Sequence, residues 1–256
     1  MKIAVAGATG RVGRPTVEVL EERGHDVVPM SRATGVDLLT GAGLDEALTG
    51  VTCVIDAASW PTPDQQEATE YFRTATRNLH AAGVRTGVER IVAVSIIGTD
   101  RFTTGYGASK IVHEQEMLDG PIPAQILRAS QFHEFVPLLV EWGTQDGVVH
   151  LQRTRVQPVA ARTVAEATVD LALAPTISNA PIPEVAGPKE EEMIDLGTRL
   201  VARRGDSLRV EGGSDPAFPD VDVYENGGLL PSPHAALAGP TFEEWLDATV
   251  PAGSAA

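Results

Sequence analysis

The stretch Gly7-Ala8-Thr9-Gly10-Arg11-Val12-Gly13 decides the fold. It follows an apolar run, residues 2–6, that is typical of a buried strand, and it precedes residues 14–23, where apolar side chains recur at helical spacing. In this context glycines let the backbone turn tightly and approach a pyrophosphate, while the helix start offers N–H groups to that anion. The turn therefore predicts dinucleotide binding by Gly7, Thr9, Gly10, Arg11, Val12 and Gly13.

Strand and helix patterns alternate after this turn. Strand-like runs occupy residues 25–30, 51–57, 90–97 and 124–128, and helical patterns occupy residues 14–23, 44–48, 64–80 and 105–118. The alternation predicts an α/β fold built on a Rossmann-type, doubly wound parallel sheet. Residues 36–39 add a strand only if they pair. We expect Pro29 to indicate a strand end or a sheet edge, and Gly83 to end the helix that Asp64 caps.

Beyond about residue 130 the alternation loosens. The sequence predicts a helix over residues 130–142 interrupted by Pro137, and a solvated helix start at residues 190–192. It also predicts a final helix from Thr241, and mostly irregular chain over residues 212–240. Because no linker is long enough to separate two domains, we expect residues 1–256 to form a single NAD(P)-binding Rossmann domain. Within it, residues from about 130 to 256 contribute a small C-terminal substrate-binding lobe.

Composition narrows the class of protein. The 256 residues carry a formal net charge of −15, which disfavours nucleic acid as a partner. The single cysteine, Cys53, excludes an internal disulfide, and no cluster of histidines and carboxylates has metal-ligand spacing, so we expect no metal. No signal peptide and no apolar run of about 20 residues is found, which predicts a cytoplasmic protein without membrane contact. The oligomeric state is left open.

The end of the second strand bears on the choice of cofactor. An acidic side chain about 20 residues beyond the glycine turn would hold the ribose of NAD, but this chain has Ser31 and Arg32 there. A hydroxyl and a guanidinium suit the additional phosphate of NADP(H), which we expect to be preferred over NAD(H). Asp37 either touches the adenine edge or serves only as a turn residue. Ala57 and Ala58, after the third strand, are also expected to line the cofactor.

A second group of residues lies on the helix at 105–118. Tyr106 and Lys110 are four positions apart and therefore share a helix face. A nearby ammonium lowers a phenol pKa, so Tyr106 could give a proton to a carbonyl oxygen or take one from an alcohol. Ser95, at the end of the preceding strand, is the accompanying hydroxyl. We interpret His113 and Glu114, one turn further on, as surface residues.

A third site is suggested by Phe132 and His133. They follow the strand that ends at Arg128, and in open α/β folds ligands bind outside the carboxyl ends of the strands. Phe132 could wall a nicotinamide, and His133 could face the substrate. The alternative is an amphipathic helix start with core aromatic residues and a surface histidine.

Gly7-x-x-Gly10-x-x-Gly13 with Tyr106-x-x-x-Lys110 resembles the short-chain dehydrogenase/reductase superfamily. Residues 94–98, 106–110 and 127–132, together with residues 157–160 and 239–246, resemble its atypical, NmrA-like NAD(P)H-binding branch. The resemblance implies an NADPH-dependent oxidoreductase that reduces a small carbonyl or conjugated-alkene substrate. It also implies Tyr106 as proton donor and Lys110 as ribose anchor.

The chain departs from the superfamily pattern at one place. The usual catalytic serine lies slightly later, where this chain has Ile96 and Ile97, so Ser95 is either catalytic or a structural hydroxyl. The branch includes reductases and proteins that bind the cofactor as redox sensors. A non-catalytic NADP(H)-binding regulator, or an epimerase or lyase on the same fold, therefore remains an alternative.

Overall fold

The computed structural model describes residues 1–60, 62, 64–214 and 219–251. The chain divides into two compact units, and the second begins at Ala129. The first unit comprises Met1–Arg128 and Val164–Pro183, and the second comprises Ala129–Thr163 and Glu184–Ala256. Among the described residues, no helix combines the length and the apolar character needed to cross a lipid bilayer.

Strands and helices are numbered separately, in chain order. The strands are β1 (Lys2–Ala6), β2 (Asp26–Met30), β3 (Cys53–Asp56), β4 (Arg90–Ile96), β5 (Ala124–Ala129), β6 (Thr144–Gln145), β7 (Val148–Gln152), β8 (Arg155–Val156), β9 (Glu184–Ala186), β10 (Glu191–Glu192), β11 (Arg209–Gly213) and β12 (Ala236–Leu237). The helices are α1 (Gly13–Glu22), α2 (Leu44–Ala47), α3 (Gln65–Thr86), α4 (Gly105–Leu118), α5 (Val136–Gly143), α6 (Ala161–Leu173), α7 (Met193–Arg204), α8 (Val221–Glu225) and α9 (Phe242–Thr249).

The first unit is built on parallel strands in the order β5-β4-β3-β1-β2. Alternate residues of β1 point to opposite faces, as the period of a strand requires. Ile3 and Val5 join one hydrophobic cluster, and Ala4 and Ala6 join another. The first cluster includes Val19, Leu20, Ala165 and Val169, and the second includes Leu79, Ile91, Met117 and Ile126. Helices cover both faces, which confirms the predicted doubly wound α/β fold.

The structure confirms one of the predicted element boundaries in this unit and contradicts another. Pro29 lies on β2, the last strand in the order, and this confirms the predicted sheet edge. Residues 36–39 form no strand. The prediction that Gly83 ends α3 is wrong, because the helix continues to Thr86 and Gly87 caps it with a φ of 81°. A Cβ at Gly83 would lie 2.5 Å from the Ile122 side chain, so this glycine serves close packing.

The second unit contains three small groups of paired strands. They are β11-β7-β6, the antiparallel pair β10 with β8, and the parallel pair β12 with β9. Pro137 does not interrupt a helix there. It lies in the first turn of α5, where its missing N–H costs no helical hydrogen bond, and residues 133–135 form a separate 3₁₀ turn.

The charged stretch before α7 also differs from the prediction. Glu191 and Glu192 form β10 rather than the start of a helix, and the Glu191 side chain is only 8% exposed. Its carboxylate lies 2.6 Å from the Arg199 guanidinium, and this ion pair explains the burial. The predicted start of the final helix is confirmed, because Thr241 and Glu244 cap α9 reciprocally.

Candidate active site

The glycine turn between β1 and α1 is closely packed against the loop after β3. A Cβ added to Gly7, whose φ is 72°, would lie 2.7 Å from the Ala57 carbonyl oxygen. A Cβ on Gly13 would lie 2.0 Å from the Gly7 carbonyl oxygen, a distance that no side chain can occupy. Gly10 has slightly more room, with its nearest neighbour, the Gly7 oxygen, at 3.1 Å. The turn has no space for a side chain at Gly7 or Gly13, so a ligand there meets bare backbone.

The start of α1 is open to an anion. Val12 is the residue before the helix, and no side-chain hydrogen bond caps it. Thr9, Gly10 and Arg11 are exposed at the same turn. An uncapped helix start presents N–H groups and a partial positive charge, so these residues fit the pyrophosphate of a dinucleotide.

The residues expected to bind the adenosine part of the cofactor make contacts with their own neighbours in this structure. Ser31 caps the short turn over Arg32–Thr34. The Arg32 guanidinium lies 5.7 Å from the centre of the Trp60 ring, and no ion pair of Arg32 is found in the described parts of the chain. The Asp37 carboxylate accepts a hydrogen bond of 2.8 Å from the Leu39 N–H, as a turn residue does. Its contact with the adenine edge remains a prediction.

The Tyr106 hydroxyl meets the same loop that the glycine turn contacts. Its oxygen lies 2.8 Å from the Ser59 hydroxyl oxygen, one residue beyond Ala58. Burial raises the pKa of the Tyr106 phenol, and the hydrogen bond with Ser59 opposes this only in part. The predicted lowering of this pKa by Lys110 is therefore wrong, because the raised value follows from desolvation.

Lys110 is directed into the protein rather than towards Tyr106. Its Nζ donates to the Val94 carbonyl oxygen at 2.9 Å and lies 2.6 Å from His113 Nδ1. It also stands over the Phe72 ring, 4.6 Å from the centroid. Lys110 is 3% exposed, and burial lowers the pKa of its ammonium to about 8, although the charges of Asp56 and Glu114 oppose this.

The interpretation of His113 and Glu114 as surface residues is wrong, because both are buried. His113 Nε2 lies 3.1 Å from Asp56 Oδ2, and the Glu114 carboxylate accepts two hydrogen bonds, of 3.0 and 2.8 Å, from Arg128. The partners arrive from β3 and β5, which are distant in sequence. Burial of polar groups on α4 is possible only because the sheet supplies these partners.

Burial, hydrogen bonds and neighbouring charges together set the protonation states of Asp56, His113 and Lys110. Burial raises the pKa of the Asp56 carboxyl, but hydrogen bonds from His113 and from the Ala58 N–H more than offset it, so the pKa lies below its ordinary value. Burial and the adjacent Lys110 lower the pKa of His113. At neutral pH the cluster is therefore a carboxylate, a neutral imidazole and an ammonium.

Ser95, the third residue predicted for catalysis, ends up in the interior. It is 3% exposed, and its hydroxyl oxygen has no hydrogen-bond partner among the described residues. A buried hydroxyl without a partner is uncommon. Its catalytic role remains a prediction.

Phe132 and His133 belong to the second unit, where Phe132 pairs with Val159 in an isolated bridge. His133 is fully buried, its Nε2 lies 3.1 Å from the Pro240 carbonyl oxygen, and its ring packs against Phe242 and Trp245. The expectation that His133 faces a substrate is not met, because apolar rings enclose it. Phe132 as a pocket residue remains a prediction.

Sequence reasoning missed three residues of the cluster around Lys110 and Tyr106: Asp56, Ser59 and His113. Two signals were present. Asp56 is the one charged residue in the apolar run at 51–57, and His113 follows Lys110 by three positions, which places both on one helix face. A charged residue inside a buried strand requires a partner, and His113 was a possible one.

Residues 7–131 match the model of an NAD(P)H-binding family. L-arabinose 1-dehydrogenase (NAD(P)(+)) of Haloferax volcanii is 33% identical over 103 residues. That match spans 37% of this chain and only 40% of the length of this curated relative.

Solved structures of similar fold cover nearly the whole chain. One is a short-chain dehydrogenase/reductase superfamily protein from Agrobacterium tumefaciens with bound NAD, with a TM-score of 0.68, 17% identity, and coverage of 97% of this chain and 95% of that one. Another is an NADPH-dependent quinone oxidoreductase from Escherichia coli, with a TM-score of 0.64, 18% identity, and coverage of 96% and 98%. At these identities the likeness shows the fold. The family match agrees with the NAD(P)H-binding part of the resemblance that the motifs indicated.

Proposed function

We propose that this chain, whose residues 7–131 match an NAD(P)H-binding family, is an NADPH-dependent oxidoreductase of the atypical short-chain dehydrogenase/reductase type. Its substrate is a small molecule with a carbonyl group or a conjugated double bond. One observation carries the proposal: the Tyr106 hydroxyl is hydrogen-bonded to the Ser59 hydroxyl. Ser59 directly follows Ala57 and Ala58, the loop residues that the glycine turn contacts. A proton donor and a cofactor-binding backbone thus share the carboxyl edge of one parallel sheet.

Each part of the cofactor has residues that suit it. The backbone of residues 7–13 would hold the pyrophosphate, Ala57 and Ala58 would line the cofactor, and Lys110 would hold the ribose next to the nicotinamide. Arg32 supports NADP(H) over NAD(H), because a guanidinium pairs with a phosphate through two parallel hydrogen bonds. When bound, the reduced cofactor supplies a hydride.

Tyr106 supplies the proton. Its raised pKa keeps the phenol protonated at neutral pH, which suits an acid that donates to a carbonyl oxygen in a reduction. The names of two similar proteins, an NADPH-dependent quinone oxidoreductase and a dehydrogenase that takes NAD(P)+, support this class of reaction.

The test begins with a screen of quinones, enones and ketones with NADPH, followed by absorbance, and of L-arabinose with NADP+. On any substrate found, Tyr106→Phe should lower turnover by about 10² to 10⁴, the usual contribution of general acid catalysis, and leave NADPH binding within a few-fold. Tyr71→Phe is the matched control, since it also removes only a hydroxyl and should leave turnover unchanged. Unaltered turnover in Tyr106→Phe would overturn the proton-donor role. Tight NADPH binding without turnover of any compound would favour the regulator.

A further inference from the structure

Lys110 makes more hydrogen bonds within the protein than a residue that only holds a ribose would require. An ammonium has three N–H groups. One is donated to the Val94 carbonyl oxygen on β4 at 2.9 Å, and a second is donated to His113 Nδ1 at 2.6 Å. Two fixed hydrogen bonds determine where the third N–H of a tetrahedral ammonium points.

His113 can accept this hydrogen bond in only one form. Because its Nδ1 accepts from Lys110, the ring proton must be on Nε2, and from there it is donated to Asp56 at 3.1 Å. The imidazole is stacked on Phe72, with ring centroids 4.7 Å apart and planes 22° apart, so it cannot turn freely. His113 thus connects the ammonium to a carboxylate through a single tautomer.

Asp56 is also the carboxylate that is available to balance the ammonium. Glu114, the other acidic residue near Lys110, already accepts two hydrogen bonds from Arg128 on β5. Among the residues that the structure describes, Asp56 otherwise accepts only from the Ala58 N–H. A buried charge without a counter-charge is unstable and gives up its proton, so Lys110 depends on these carboxylates, and on Asp56 more than on Glu114.

We propose that Asp56 and His113 are positioning residues, which keep Lys110 charged and direct its remaining N–H towards the cofactor. The inference rests on the proposed function for the last clause only, because the hydrogen bonds themselves do not involve a ligand. In this proposal the carboxylate and the imidazole act only through the lysine, and neither contacts the cofactor or the substrate.

The first test needs no variant. Long-range ¹H–¹⁵N spectra of the ¹⁵N-labelled protein at pH 7 report the tautomer of each histidine. The expected result is a neutral His113 with its proton on Nε2. A proton on Nδ1, or an imidazolium, would overturn the proposal, because neither form can accept from Lys110.

The second test is a double-mutant cycle read by calorimetric titration with NADPH. His113→Leu should weaken NADPH binding by about tenfold in the parent chain and have no further effect in Lys110→Met, because residues that act as a unit are not additive. His80→Leu is the matched control, a second buried histidine of the same unit that contacts the Met117 carbonyl instead, and it should leave the dissociation constant unchanged.

An equal loss in both backgrounds, or no loss in the parent chain, would overturn the positioning role. If the parent chain itself does not bind NADPH, the proposed function fails, and the tautomer of His113 then decides the positioning role alone. If His113→Leu does not fold, His113→Asn takes its place in the cycle. The shorter amide side chain can still accept from Lys110 but loses the contact with Asp56. His113→Asn should therefore weaken NADPH binding in the parent chain and have no further effect in Lys110→Met, and an equal loss in both backgrounds would overturn the positioning role.

Discussion

The glycine turn and the Lys110 cluster are the two halves of the proposed site, and they are built on opposite principles. The turn consists of backbone within seven consecutive residues, and its requirement is the absence of side chains at Gly7 and Gly13. The cluster consists of side chains from β3, α3 and α4, and its requirement is that every buried polar group has a partner. The turn should therefore be damaged by added volume, and the cluster by loss of a single atom that donates or accepts.

Gly13→Ala is the largest expected effect on the turn. Its methyl group would lie 2.0 Å from the Gly7 carbonyl oxygen, so the backbone must move. We expect the free energy of unfolding to fall by about 3 kcal/mol or more, at the upper end for overpacking, and NADPH binding to be lost. Urea denaturation and calorimetry check both values.

Gly10→Ala provides the comparison within the same turn, because its methyl group would have 3.1 Å to the Gly7 oxygen. The Gly10→Ala protein should fold with nearly the stability of the parent chain. Its affinity for NADPH should still fall, because the added methyl group faces the exposed side where the pyrophosphate is expected. Equal destabilisation by the two substitutions would contradict the packing account of the turn.

Arg32→Ala has the next largest expected effect, and it acts on cofactor choice. Removing a guanidinium that bonds a phosphate should cost roughly 1.5–3 kcal/mol of NADPH binding free energy, which is about 10- to 150-fold. NADH lacks that phosphate and should be almost unaffected. Titrations of both cofactors decide the matter, and equal losses would show that Arg32 does not recognise the phosphate.

The smallest expected effect is the pH dependence of the cluster. Lys110 is charged below its pKa of about 8 and neutral above it. NADPH affinity should therefore fall several-fold as pH rises from 7 to 9, while Lys110→Met should show no such decline. A parallel pH dependence in that variant would assign the titration to another group.

The contribution of Lys110 to the free energy of unfolding should rise with pH, whereas NADPH affinity falls. The pKa of Lys110 is lowered from its ordinary value of 10.5, so between about pH 8 and 10.5 the unfolded chain binds the additional proton. The stability of the parent chain relative to Lys110→Met should rise with pH across that window, by up to about 1.4 kcal/mol per pH unit. Paired denaturant titrations at pH 7.5 and 9.5 measure the difference.

The two halves also differ in how far the sequence could predict them. The turn is local, so glycine spacing between a strand and a helix was sufficient to predict it, and the predicted bounds of β1 and α4 agree with the structure. The burial of His113 was not predictable from α4, because its partner Asp56 lies 57 residues earlier and meets it only after the sheet is assembled. A histidine and a glutamate on a helix look exposed until the strands that pair with them are known.

The same reason explains the smaller errors. Gly83 looked like a helix end because glycine is common there, but a side chain from Ile122 requires the space. The burial of His133 depends on Phe242 and Trp245, more than 100 residues away. Local patterns indicate where most elements lie. Long-range packing determines which of their polar residues are buried, and at Gly83 it explains why a glycine stands inside a helix.

A crystal structure with NADPH bound tests the central claim most directly, which is that the glycine turn binds the pyrophosphate and the Lys110 cluster binds the nicotinamide ribose of the same cofactor. The account predicts the pyrophosphate on the backbone of residues 7–13, and Lys110 Nζ at hydrogen-bonding distance, about 2.7–3.2 Å, from a hydroxyl of the nicotinamide ribose. The bonds from Lys110 to Val94 and His113 should be retained. A nicotinamide ribose held by other residues, with Lys110 bonded only within the protein, would contradict the account.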